Sequence, residues 1–212
     1  MIAGVKYYVL VTARKQAVLA PVITFLAIVA MVYATDAGPP LAAATVPAAA
    51  LVPVGAWMMR LVATSESRAF ADVTLVALGS EQRRQFARGL AAVLYGALLC
   101  VIATAWARIA NPHPYPAPVI AIIFVMSFVL VVAGIGLGSL LAPPLGVTAG
   151  AAAMVVTVVV LVSLVARFVP PIHPVLDAYL AHRGSRPIAL IEAFALGVAM
   201  FGVALRLGRR AR

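Results

Sequence analysis

The sequence predicts an all-α membrane protein with six transmembrane helices, and three observations carry that expectation. First, of 212 residues 65% are hydrophobic and only 10% are charged, with a mean hydropathy of +1.10. A soluble domain is about 45–50% apolar and about 25% charged. A water-soluble chain of this size has nowhere to hide so much apolar surface, which excludes disorder, a disulfide scaffold and a free-standing soluble enzyme. Second, the apolar residues fall into six stretches, 17–35, 41–62, 89–110, 118–142, 146–168 and 187–206, near the length of about 20 residues that a membrane-crossing helix needs. Third, turn-forming residues separate the stretches.

Residues 1–16 resemble the start of a signal peptide, but the first span follows at once, so this segment is expected to stay on the chain. An interfacial helix fits it, although Lys6, Arg14 and Lys15 do not gather well on one helical face and the amphipathic signal is weak. Asp36-Ala37-Gly38-Pro39-Pro40 ends span one with turn chemistry. In span two, Pro47 and Pro53 are expected to kink the helix and free carbonyls that neighbours or water must satisfy. Asn111-Pro112-His113-Pro114-Tyr115-Pro116 ends span three. Span four carries Gly134 and Gly138, a small-xxx-small pair that lets helices approach closely, either within the chain or at a dimer seam. Pro143-Pro144 divides spans four and five, and Pro170-Pro171 closes span five. The next segment, 169–180, is unusually apolar for a loop. Backbone at membrane depth must be buried in protein or face a cavity, so a short helix from Pro174 to about His182, stopped by Gly184, is expected as a partly inserted outer lid. Pro187 suits the first position of the sixth helix, where its missing N–H costs nothing.

An even number of spans puts both termini on one side. If that side is the cytoplasm, the inner set is Lys6, Arg14, Lys15, Arg60, Arg68, Arg83, Arg84, Arg88, Arg206, Arg209, Arg210 and Arg212. Only Arg108, Arg167, Arg183 and Arg186 fall outside. The chain's 16 Lys+Arg against 6 Asp+Glu, net +10, thus indicate orientation by the positive-inside rule rather than a nucleic-acid partner. Trp57, Trp106, Tyr33 and Tyr115 fall near the interfaces, where aromatic belts form. The expectation is one transmembrane domain over residues 1–212, multi-pass in the cell membrane, both termini cytoplasmic. Cys100, the single cysteine, excludes an intrachain disulfide and a cysteine metal cluster.

Between spans two and three lies the one substantial cytoplasmic segment. Thr64 or Ser65 can cap a helix, and Phe70, Val73 and Ala77 repeat at helical spacing. Gly79 is a natural stop, because glycine accepts the left-handed conformation that ends helices. Ser80 can cap a second helix with Glu81 against its positive end. The segment therefore predicts helix, sharp break, helix, the second running into span three. Two readings are open: a solvated basic connection, or a docking element whose exposed Phe70–Leu78 surface meets a groove.

Six spans, internal termini and a Glu-containing helix between spans two and three resemble a type-two ABC transporter permease. The matching positions are Glu66 through Leu78, then Gly79-Ser80, where that family often has proline at the break. Gly134, Gly136 and Gly138 in span four, and Phe168–Arg186 before span six, fit the family's glycine-rich span and external re-entrant hairpin. The resemblance covers nearly the whole chain through diffuse motifs. It implies that Glu66, Arg68, Phe70, Asp72, Val73, Leu75, Leu78, Gly79 and Ser80 form the coupling contact with an ATPase. It further implies two ABC ATPase subunits that carry ATP and Mg, a second permease (self or paralogue), and a substrate path at the dimer interface.

The chain lacks a Gly-x-x-x-x-Gly-Lys-[Ser/Thr] phosphate loop, its only lysines being Lys6 and Lys15. It is therefore expected to be no enzyme itself and to hold no cofactor. Gly-x-Ser-x-Gly and His-Glu-x-x-His are absent as well. His113, His173 and His182 sit in two Pro-rich outer segments without ligand spacing, so no metal is expected. Glu192 is the only acid within a predicted span, and an intramembrane carboxylate is a functional candidate by default. It lies five residues past Pro187, about 7.5 Å at helical rise, so pairing with Arg186 or Arg183 stands beside a role in substrate passage. The alternative to a permease is a non-ATP small carrier or the membrane anchor of a larger complex. A proton-coupled carrier would need acids deeper than Glu192.

Overall fold

The computed structural model describes residues 1–142, 147–165, 172–180 and 186–210. Among them every regular element is helical: α1 (Ile2–Ala13), α2 (Leu19–Val32), α3 (Pro40–Ala43), α4 (Thr45–Ala63), α5 (Arg68–Leu78), α6 (Glu81–Ala110), α7 (Ala117–Leu141), α8 (Ala149–Val165), α9 (Ile172–Leu180) and α10 (Arg186–Arg210), with a 3₁₀ turn at Gln16–Val18 before α2. The predicted breaks at Pro143-Pro144 and Pro170-Pro171, together with Arg167, His182, Arg183, Gly184 and Arg212, lie outside the described residues.

Among the described residues four helices are long and apolar enough to cross a bilayer: Pro40–Ala63, Glu81–Ala110, Ala117–Leu141 and Pro187–Leu207. They coincide with spans two, three, four and six of the sequence reading. Span one differs. Its helix α2 has 14 residues, or about 21 Å at helical rise, short of the ~30 Å hydrocarbon core. It reaches spanning length only together with α1, from which it turns by 84° at Arg14–Lys15. Span five contains α8, an apolar helix of 17 residues, about 25 Å long. Among the described residues the structure is thus an all-α membrane architecture with four apolar spans, or five when the bent pair counts as one.

Local chemistry explains the boundaries. The Gly38 amide donates to the Asp36 carboxylate at 2.9 Å while Gly38 takes φ +77°, so the turn after α2 closes on a residue that needs no Cβ. Pro47 falls in the first turn of α4, where the absent N–H is not missed, whereas Pro53 sits inside the helix and leaves the Ala49 carbonyl without its donor. Gly79 adopts φ +76° and receives the end of α5. The Ser80 hydroxyl accepts the Arg83 amide at 3.2 Å and starts α6 with Glu81 in its first turn. Two points differ from the sequence reading. Helix α5 begins at Arg68 after Ser67, not at Glu66. The Thr64 and Ser65 hydroxyls do not cap it; they bond back to α4 carbonyls, Ser65 to Val62 at 2.8 Å and Thr64 to Arg60 at 2.9 Å.

Helix α7 is the hub of the core, packed between α4 and α10 with α6 alongside. In lipid, helices gain nothing by hiding apolar surface from water, so close backbone approach through small residues carries the packing. A Cβ on Gly134 would fall on the Val52 carbonyl and one on Gly138 on the Ala56 carbonyl, both of α4. Gly136, about 200° round the helix from Gly134, meets Gly197 of α10 in the same way. The glycines of span four thus face two neighbours within the chain. At one end of the bundle the loops are tied together: the Asn111 amide donates to the Gly38 carbonyl at 3.1 Å and to the Tyr115 hydroxyl at 3.0 Å, and His113 Nε2 lies 3.2 Å from the Asp36 carboxylate. Helix α9 buries Ile172 and Val175 in the main core. It begins two residues earlier than predicted, because Pro174 is accepted in its first turn.

Candidate functional site

At the opposite end of the bundle, α4 gives way to α5 through Thr64–Ser67, and Glu66 turns inward. Its side chain is 1% exposed. The carboxylate accepts hydrogen bonds from the Tyr8 hydroxyl of α1 at 3.1 Å, from Arg88 Nη2 of α6 at 2.9 Å and from the Thr74 hydroxyl of α5. Arg84 Nη1 stands 4.0 Å away. One carboxylate therefore joins three helices and the end of a fourth. The arginines are fixed in turn. Arg84 pairs with Glu81 at 2.6 Å and donates to the Ala71 carbonyl of α5 at 3.0 Å. The Arg88 guanidinium, 5% exposed, lies over the Tyr8 ring at 5.2 Å from its centre. Burial pushes the Tyr8 hydroxyl up to about 12, with Arg88 pulling the other way and Glu66 adding to the rise. The phenol stays protonated and keeps donating to Glu66.

A buried charge is tolerated only when paired and hydrogen-bonded. The Glu66 carboxylate has four donors around it, and α6 supplies both cations from one face because Arg84 and Arg88 are spaced i, i+4. A second link ties α1 down: the Tyr95 hydroxyl donates to the Val9 carbonyl at 2.8 Å. Leu78, half-buried, packs against Gly4 of α1. Helix α5 is in this way held at its start and at its end.

The outward surface of α5 has the opposite character. Phe70 is 62%, Val73 63% and Val76 82% exposed, and Asp72 and Ala77 share that exposure. Leu75 is half-buried. Apolar side chains on a helix that is not itself long enough to cross a membrane mark a contact surface.

The residues singled out from sequence therefore divide. Phe70, Asp72 and Val73 lie on the open face. Glu66 and Leu78 turn into the protein, Gly79 and Ser80 shape the break, and the Arg68 side chain lies outside the described residues. Tyr8 and Thr74 were not singled out, and Arg84 and Arg88 entered only as basic residues of the inner set. The i, i+4 arginines with Glu81 three residues before Arg84 were the one local signal available. Tyr8, 58 residues from Glu66, had none. Glu192 lies on the exposed face of α10, while Arg183 and the Arg186 side chain are outside the described residues, as are His182 and the His173 side chain. Among the described residues no three His, Cys, Asp or Glu side chains converge as metal ligands would. No protein-family model, curated protein or solved structure matches the chain.

Proposed function

We propose that the chain is the transmembrane subunit of an ATP-driven exporter, built as a type-two ABC permease. In this reading it has six spans in the plasma membrane with both termini in the cytoplasm. It works with a second permease, self or paralogue, and with two ABC ATPase subunits that bring ATP and Mg. The observation that carries the reading is α5: an apolar surface at Phe70, Val73 and Val76 on a helix fastened at its base to α1 and α6 through Glu66. A coupling helix must offer a free surface to its partner and be firmly joined to its load, and α5 combines those two properties. ATP-driven closure of the partner subunits would push on this surface, and the Glu66 junction would pass the push to α6 and α1. The basic residues support the orientation, since Lys15, Arg84 and Arg88 stand at the α5 end. The 84° turn between α1 and α2 supports α1 as a helix lying in the interface beside the first span.

Purification of the full chain from its native host in mild detergent tests the reading. An ATP-hydrolysing subunit is expected to co-purify, and the double substitution Val73→Asp, Val76→Asp is expected to release it while the permease stays monodisperse. Absence of any ATPase, together with membranes showing no ATP-dependent transport, would sink the proposal.

A further inference from the structure

Helices α4, α7 and α8 enclose a cleft of about 590 Å³ that the transport reading does not use. Its walls are apolar along most of its length, from Pro53 and Trp57 on α4 to Ala153 and Val156 on α8. Its one charged lining residue is Arg60, near the end of α4. The Arg60 guanidinium donates from Nη1 to the Leu141 carbonyl at 2.9 Å and from Nη2 to the Val147 carbonyl at 2.7 Å. The first is a terminal carbonyl of α7 that has no intrahelical donor. These bonds hold the plane of the guanidinium but leave its charge unneutralised. No carboxylate forms an ion pair with Arg60 among the described residues. A second cation stands nearby: Lys15 Nζ donates to the Thr64 carbonyl at 3.1 Å, and Thr64 itself lines the cleft.

The walls and the charge together specify the occupant. From Pro53 to Arg60 the apolar furrow runs about 10 Å along α4 at helical rise, a length that suits part of a hydrocarbon chain. A water-soluble anion has nothing to gain from that stretch. A cation fixed in an apolar cleft requires an anion, and a guanidinium with protons left on Nε and both Nη atoms matches a phosphate oxygen pair. Helix α8 exposes most of its surface, so the cleft sits at the periphery of the bundle beside the lipid. We propose that this cleft binds an anionic phospholipid of the leaflet on the α5 side, with its phosphate on Arg60, its headgroup near Lys15 and one acyl chain along Pro53 and Val156. The site stands apart from the ATPase contact, and its test needs no ATPase.

The test is native mass spectrometry of the purified full chain, titrated separately with phosphatidylglycerol and phosphatidylcholine. Two basic side chains acting on one net charge predict at least about a tenfold preference for phosphatidylglycerol. Arg60→Gln leaves Lys15 in place and is expected to cut the preference several-fold. Ala153→Phe fills the furrow without touching the cation, and is expected to lower phosphatidylglycerol retention several-fold. Equal retention of the two lipids by the unaltered chain would overturn the proposal. So would full phosphatidylglycerol binding by Ala153→Phe, which decides the matter even where Arg60→Gln fails to fold.

Discussion

Glu66 shows how one residue type can mean opposite things at the same position in a chain. An acid at the start of a short cytoplasmic helix suggests a charged contact with a partner. In the structure it is a buried anchor, and the exposed apolar face of α5 lies one to three turns further on. Breaking a buried pair leaves an uncompensated charge and typically costs about 3–5 kcal/mol, whereas replacing both members costs much less. Arg88→Met is therefore expected to destabilise the folded chain by an amount in that range, and Glu66→Gln combined with Arg88→Met by clearly less, measured by equilibrium unfolding in detergent. A double-variant loss equal to the sum of the separate Arg88→Met and Glu66→Gln losses would show that the pair carries no coupling. Tyr8 adds a pH signature. Its hydroxyl rises from 10 to about 12 on folding, so the folded state holds a proton that the unfolded chain releases. Its contribution is complete below pH 10 and is lost as pH climbs toward 12. Tyr8→Phe should make stability fall less steeply between pH 10 and 12, a difference that parallel unfolding curves would reveal. None of this cluster except the arginine spacing is legible locally, because Tyr8, Glu66 and Arg88 meet only after three helices have packed.

Helices were the most legible level, for a physical reason. Apolar runs of bilayer length, glycine in the left-handed conformation at Gly79 and a serine cap at Ser80 are local properties, and the structure places each where its chemistry calls for it. What differed needed non-local information. The start of α5 moved from Glu66 to Arg68 because the acid is drawn into the α1–α6 junction, and regular helix in span one stops at Val32 rather than at residue 35. The direction of the glycines in α7 was equally hidden, since a small-xxx-small pair specifies closeness but not the neighbour. That neighbour is now open to test. Gly134→Ala sets a methyl group against the Val52 carbonyl and is expected to destabilise by about 1–3 kcal/mol through overpacking. Gly202→Ala, with nothing within 4 Å of the added carbon, should be neutral or stabilise by up to ~1 kcal/mol through helix propensity. Thermal unfolding of the two variants in the same detergent should move in opposite directions or differ clearly in size.

At the scale of the whole molecule the two ends of the bundle differ in kind. One end is closed by Asn111, which ties the α2–α3 and α6–α7 loops together. The other carries Lys15, Arg84 and Arg88, the Glu66 junction and the open apolar face of α5. Composition announced the membrane, and the charge distribution announced which end to inspect, but neither could tell an inward-facing charge from an outward-facing one. The proposed coupling role rests on that difference between the two sides of α5. Site-specific photo-crosslinking tests it most directly, with the reactive group placed at Val76 on α5 and, as a control, at the exposed Ile188 near the start of α10. The coupling role predicts that Val76 forms an adduct, in native membranes, with a polypeptide that carries a Gly-x-x-x-x-Gly-Lys-[Ser/Thr] loop and binds ATP, and that Ile188 forms none. No such adduct at Val76, or the same adduct from both positions, would contradict it.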